Sequence, residues 1–124
     1  VLKDNYVIQK PCNNLGRDVR VYVIGGKIIT AMLRISDKDF RSNFCLGGRA
    51  EVYNLSDEER EKVEKVIRLF DFDFVGIDFI FNNGKMVFNE IEDVVGSRMV
   101  YTYTDIDIVE MYVDYILEKV VKCS

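Results

Sequence analysis

The sequence predicts an α+β domain, an antiparallel sheet with helices packed on one face. Two hairpin-type turns and two stretches of helical periodicity carry that expectation. Gly25-Gly26 and Asn82-Asn83-Gly84 each join two strand-like runs, and each pair of strands is followed by a helical stretch.

In chain order, Tyr6 to Gln9 is a short apolar strand candidate that stops at Lys10-Pro11, because proline has no N–H to offer a ladder. Asn13-Asn14-Leu15-Gly16 is a loop by composition. Residues 18–24 read D-V-R-V-Y-V-I. Val19, Val21 and Val23 share one face, and Asp18, Arg20 and Tyr22 share the other, which is the alternation of a half-buried strand. Gly25-Gly26 then turns the chain into a second strand over 27–34.

From Ile35 to Glu51 the periodicity fails, and the polar, Gly-ended stretch 36–48 reads as a long loop of the functional kind. Ser56 with Glu59 three residues on is a capping box, and Asp57, Glu58 and Glu59 load the first turn with charge that suits the helix dipole. Val63, Val66, Ile67 and Phe70 supply the apolar stripe of a helix ending near Phe70. Two more strands, 74–81 and 85–92, flank Asn82-Asn83-Gly84. After Gly96 a loop leads to a second helix capped by Thr104, with Ile108, Val109, Tyr112, Ile116 and Val120 at helical spacing.

Length and composition narrow the function. The 124 residues fit one domain, residues 1–124, and a first residue of Val1 suggests a piece of something longer. The complete lack of His removes Ser-His and Cys-His nucleophilic catalysis and any His-ligated zinc. No run approaches the roughly 18 apolar residues of a membrane span, so no membrane role is expected. A net charge of −4 argues against nucleic acid as a partner, since phosphate backbones want a basic surface. Cys12, Cys45 and Cys123 are odd in number and widely spaced, and read as reduced thiols of a cytoplasmic protein.

The chemistry-bearing residues lie in the second hairpin and the long loop. Glu90 and Glu92 share a strand face by period 2. A three-residue Asn82-Asn83-Gly84 loop sets Asp78 opposite Phe88 and diagonal to Glu90, on its face; a two-residue Asn83-Gly84 turn shifts the register by one and separates them. In the first register three carboxylates converge. Mutual repulsion is then relieved by a cation, and an all-oxygen set suits Mg²⁺ or Mn²⁺ with substrate phosphates completing the shell. A solvated acidic sheet face is an equal reading of the same spacing. The loop supplies opposite charge: Arg34, then Arg41-Ser42-Asn43, then Gly47-Gly48, where guanidinium forks and Gly-rich backbone can meet anions. Residues alone reach a metal–phosphate site on an antiparallel sheet.

The run Q-K-P, G-R-D-V-R-V-Y-V-I-G-G, Arg34, F-R-S-N-F-C-L-G-G, G-I-D-F and E-I-E-D-V-V-G, from about Tyr6 to Leu117, resembles the ATP-grasp ligases of the RimK type, the carboxylate–amine (glutamate) ligases. The resemblance implies an ATP-grasp C-terminal subdomain plus hinge, with the preceding subdomain as a missing partner. It implies that Lys10 and Pro11 lie beside the adenine, that Asp18 contacts nucleotide, and that Arg41, Ser42 and Asn43 face the phosphates. Arg34 matches an arginine at the reacting phosphate or acyl group, and Asp78, Glu90 and Glu92 match three magnesium ligands. The implied reaction uses ATP to phosphorylate a substrate carboxylate, and an amine then displaces the phosphate to form an amide. Positioning and charge neutralisation carry such chemistry without His. The family usually has Asn at Glu92 and Pro at Val95. These departures favour the other reading, a non-catalytic ATP- or metal-binding module that keeps the fold.

Overall fold

Residues 18–24 are all buried, and the fold is built outward from the strand that contains them, β1 (Arg17–Ile24). The computed structural model describes residues 8, 10–13, 15–36 and 48–123. The strand candidate over residues 6–9 and the segment from Arg41 to Gly47 therefore fall wholly or largely outside the described residues. After β1 come β2 (Lys27–Ile35), β3 (Arg49–Val52), α1 (Asp57–Ile67), β4 (Phe74–Asn82), β5 (Lys85–Glu92), α2 (Arg98–Tyr103) and α3 (Ile108–Cys123). The strands form one antiparallel sheet in the order β3-β2-β1-β4-β5, with β1 at its centre.

The expected α+β sheet is present, but its helices cover both faces, not one. Period 2 explains why. Val19, Val21 and Val23 point to one side and pack with Ala31, Leu33, Ile77 and Phe79 against Val63 of α1. Tyr22 and Ile24 point to the other and pack with Met32 and Ala50 against Met99 and Val100 of α2 and Ile108 of α3. A central strand sandwiched in this way has no solvated face, so the half-buried reading of β1 was too shallow.

Helix α1 begins as the sequence predicts. Ser56 Oγ accepts from the Glu59 N–H and the Glu59 carboxylate accepts from the Ser56 N–H, closing the capping box. The helix stops at Ile67, a turn before Phe70, whose side chain is exposed. Two elements escape the sequence. β3 is only four residues long, too short for alternation to register, and pairs with β2 through Met32↔Val52 and Arg34↔Ala50. The six-residue α2 fills what reads as loop. Thr104 therefore caps nothing at the start of α3. Its N–H donates to the Val100 carbonyl and ends α2, while Asp107 accepts from the Glu110 N–H one turn into α3.

Helix α3 is held against the β1–β2 turn and the start of β4. The Tyr115 hydroxyl and the Lys119 ammonium both donate to Asp73 Oδ1, at 2.8 and 2.7 Å. The Tyr115 ring lies so close to Gly25 that a Cβ there would come within 2.5 Å of it, and the φ of +54° at Gly25 is itself a left-handed value. Val113, Leu117 and Val121, on the side of α3 away from the sheet, are exposed. Among the described residues no helix is long and apolar enough to cross a membrane.

Candidate functional site

On the α2/α3 face, the helices cover one end of the sheet and leave the Asp18 end to polar side chains. The ladder registers place these in adjacent rows. Asp18 pairs with Arg34, Arg20 pairs with Asp78, and Tyr22 pairs with Gly76. Glu90 opposes Asp78 and Glu92 opposes Gly76 on β5.

The hairpin reaches this arrangement by neither register that the spacing suggested. The turn is the two-residue one, Asn83-Gly84, with φ of 51° and 73°, which pairs Asn82 with Lys85 and Phe79 with Phe88. That register alone would set Asp78 opposite Asn89. An irregularity at Asp78/Phe79 admits one extra residue in β5, so Asp78 meets Glu90 directly, not diagonally.

Two guanidinium forks fill the space between the acids. Arg20 donates from Nε to Asp78 Oδ1 and from Nη2 to Asp78 Oδ2, both at 2.8 Å. Arg34 donates in the same manner to Asp18, at 2.7 and 2.5 Å, and its Nη2 also reaches Asp78 Oδ2 at 2.7 Å. Glu92 forms an ion pair with Arg20. The chain of contacts is Asp18–Arg34–Asp78–Arg20–Glu92, with Asp78 at its centre and 1% exposed. Bidentate pairs of this type are the strong, geometrically specific kind. For both arginines burial opposes the charge, and the hydrogen bonds and attraction of the carboxylates outweigh it, holding Arg20 and Arg34 above the usual guanidinium range.

Gly76 has a steric role in this network. A Cβ on it would lie 2.8 Å from Val95 and 3.3 Å from the Arg20 side chain, so glycine lets Arg20 lie flat across β4. Beside it, the Tyr22 hydroxyl donates to the Gly96 carbonyl at 3.0 Å and ties down the loop that follows Glu92. Burial raises the Tyr22 phenol to about 12.

Of the residues singled out in the sequence, Asp18, Arg34, Asp78 and Glu92 share one contact network, and Glu90 lies beside Asp78 with an exposed side chain. Lys10 and Pro11 are exposed, in a segment pinned to the β4–β5 turn. Asn13 Nδ2 donates to Asn83 Oδ1 at 2.6 Å, and the Asn83 N–H donates to Asn13 Oδ1 at 2.8 Å. Arg41, Ser42 and Asn43 lie outside the described residues. Arg20 is the member that sequence reasoning passed over. Its signal was a charge in mid-strand, two residues from Asp18 and on the same face.

The donor chemistry suits a hard divalent ion, since three carboxylates stand in neighbouring rows on one face. The present geometry gives Asp78 and Glu92 to arginine, and no three acidic or Cys side chains among the described residues are grouped to hold a metal ion.

Residues 1–116 match the family described as RimK-like ATP-grasp domain. The chain belongs to that family. A probable alpha-L-glutamate ligase of Methanococcoides burtonii is 33% identical over 117 residues, which are 93% of this chain and 39% of that protein. This RimK-like chain therefore spans about two-fifths of the length of such relatives. The ATP-grasp ligase PsnB, solved with minimal precursor, Mg and ADP, superposes with a TM-score of 0.63 at 26% identity, over 82% of this chain and 33% of PsnB. The D-alanine–D-alanine ligase of Bacillus anthracis, solved with ATP, shares the fold at a TM-score of 0.59 and 16% identity, over 88% of this chain and 40% of that one.

Proposed function

We propose that this chain is the hinge and C-terminal subdomain of an ATP-dependent carboxylate–amine ligase of the glutamate type, working in the cytoplasm through an acylphosphate. One observation carries the reading: the buried Arg20, the half-buried Arg34 and four carboxylates converge at the open end of one sheet face, where the segment holding Lys10 and Pro11 also arrives. Membership of the RimK-like family and the 39% coverage of the Methanococcoides relative support it.

In this reading Lys10 and Pro11 border the adenine, Asp18 contacts the nucleotide, and Arg41, Ser42 and Asn43 face the phosphates. Arg34 neutralises the charge that develops as a phosphoryl group moves to the substrate carboxylate, and Arg20 is placed to share that work. Asp78, Glu90 and Glu92 would hold Mg²⁺ (or Mn²⁺), which supplies charge neutralisation of the phosphates when bound. The remaining catalytic gain comes from alignment of acid and amine. The missing N-terminal part supplies the other wall of the cleft.

The test is turnover. The longer protein should release ADP only when given both a carboxylate and an amine. Asp78→Ala or Glu90→Ala should abolish that release while the fold survives, whereas this chain alone should show none. The Arg20–Glu92 pair, at a position where Asn is the family norm, favours a second reading, a binding module that retains the fold without the reaction. Cellular function unaffected by Asp78→Ala or Glu90→Ala would decide for the module.

A further inference from the structure

We infer that Arg20 and a divalent cation compete for the same carboxylates, so that metal can enter this site only as Arg20 is drawn away to a new anionic partner. The inference rests on the proposed reading of this face as a magnesium–nucleotide site. A carboxylate offers about four lone-pair positions, and Asp78 already has three filled. Two of the three are taken by Arg20 and one by Arg34. Arg20 also pairs with Glu92, so one guanidinium engages two of the three carboxylates that a metal would use.

Arg34 is not equivalent. Its fork is spent on Asp18, and it gives Asp78 a single hydrogen bond. Removal of Arg20 therefore frees two positions on Asp78 and the Glu92 carboxylate at once, while Arg34 still holds Asp78 in place. Magnesium needs close, nearly octahedral oxygen contacts and cannot share those positions with N–H donors. A polyphosphate would offer Arg20 the bidentate partner it loses. Metal and nucleotide should then strengthen one another's binding equally, as any coupling free energy must. Glu92 sharpens the competition. An Asn there would offer the metal an oxygen and leave Arg20 with Asp78 as its one charged partner among these three positions.

Mn²⁺ alone is the probe, titrated into the chain and followed by electron paramagnetic resonance of the free ion. The unmodified chain should bind it weakly, and Arg20→Gln should bind it at least tenfold more tightly. Equal affinities overturn the competition while leaving ADP release by the longer protein, and hence the ligase reading, untouched. A folded Arg20→Gln chain that binds no Mn²⁺ overturns it as well. Should that variant not fold, the Arg20 Nε–H resonance of the unmodified chain decides. Titration with Mg²⁺ should shift it and speed its exchange with water, and a resonance unchanged at high Mg²⁺ overturns the inference.

Discussion

Asp78→Asn is the substitution through which the arginine–carboxylate network can be weighed. It keeps the shape of the side chain and removes the buried charge on which the guanidinium groups of Arg20 and Arg34 converge. Removing one partner of a buried pair costs about 3–5 kcal/mol, because the other charge is left without compensation. Here the compensation does not vanish: Arg20 keeps Glu92 and Arg34 keeps Asp18. The cost should fall at the lower end, about 3 kcal/mol, a large share of the 5–15 kcal/mol that typically holds a domain together. For a chain of this size that is a drop in melting temperature of about 12 °C. Urea unfolding followed by circular dichroism measures it, with Glu90→Gln as the control, since Glu90 is exposed and should change stability by less than about 0.5 kcal/mol. If Asp78→Asn unfolds within about 0.5 kcal/mol of the unmodified chain, the network is not a structural element of this sheet and the reasoning fails.

Two further outcomes follow from the same face. Tyr22 keeps its proton up to about pH 12 when folded and loses it near pH 10 when unfolded, so its contribution is complete below pH 10 and is lost as the pH climbs to 12. That loss amounts to about 2–3 kcal/mol, and Tyr22→Phe should flatten the alkaline limb of a stability–pH curve by about that amount. Gly76→Ala should cost about 1–3 kcal/mol by overpacking against Val95 and Arg20, and Val95→Ala should recover part of it in a thermal melt.

What could be read from the sequence was whatever local chemistry dictates. The Ser56–Glu59 box, the Asn83-Gly84 turn and the alternation of β1 are decided by neighbours a few residues apart, and each stands where the residues place it. The placement of helices on both faces was not local. Tyr22 and Arg20 look like solvent-side residues until α2 and α3 close over one and Asp78 meets the other. β3 went unseen because four residues, Arg49 to Val52, hold too little pattern. Of the candidate site, the shared face of Glu90 and Glu92 was legible from period 2, whereas Asp78 joins them only through an irregularity in the ladder that no regular register contains. Arg34 was expected near the acids, but the pairing of Arg20 with Asp78 was not, because that contact spans 58 residues of sequence and only the mid-strand charge hinted at it.

The extra residue in β5 has a wider consequence, which is arithmetic. Around a two-residue turn, directly facing positions are always an odd number of residues apart, as Asn82 and Lys85 are. Asp78 and Glu90 are twelve apart, an even number, and no regular ladder on such a turn can bring them face to face. Any homologue that keeps both acids at this spacing beside an Asn-Gly tip must therefore carry a kink between them, and one that trims a residue at the tip must lose the kink to keep its acids together.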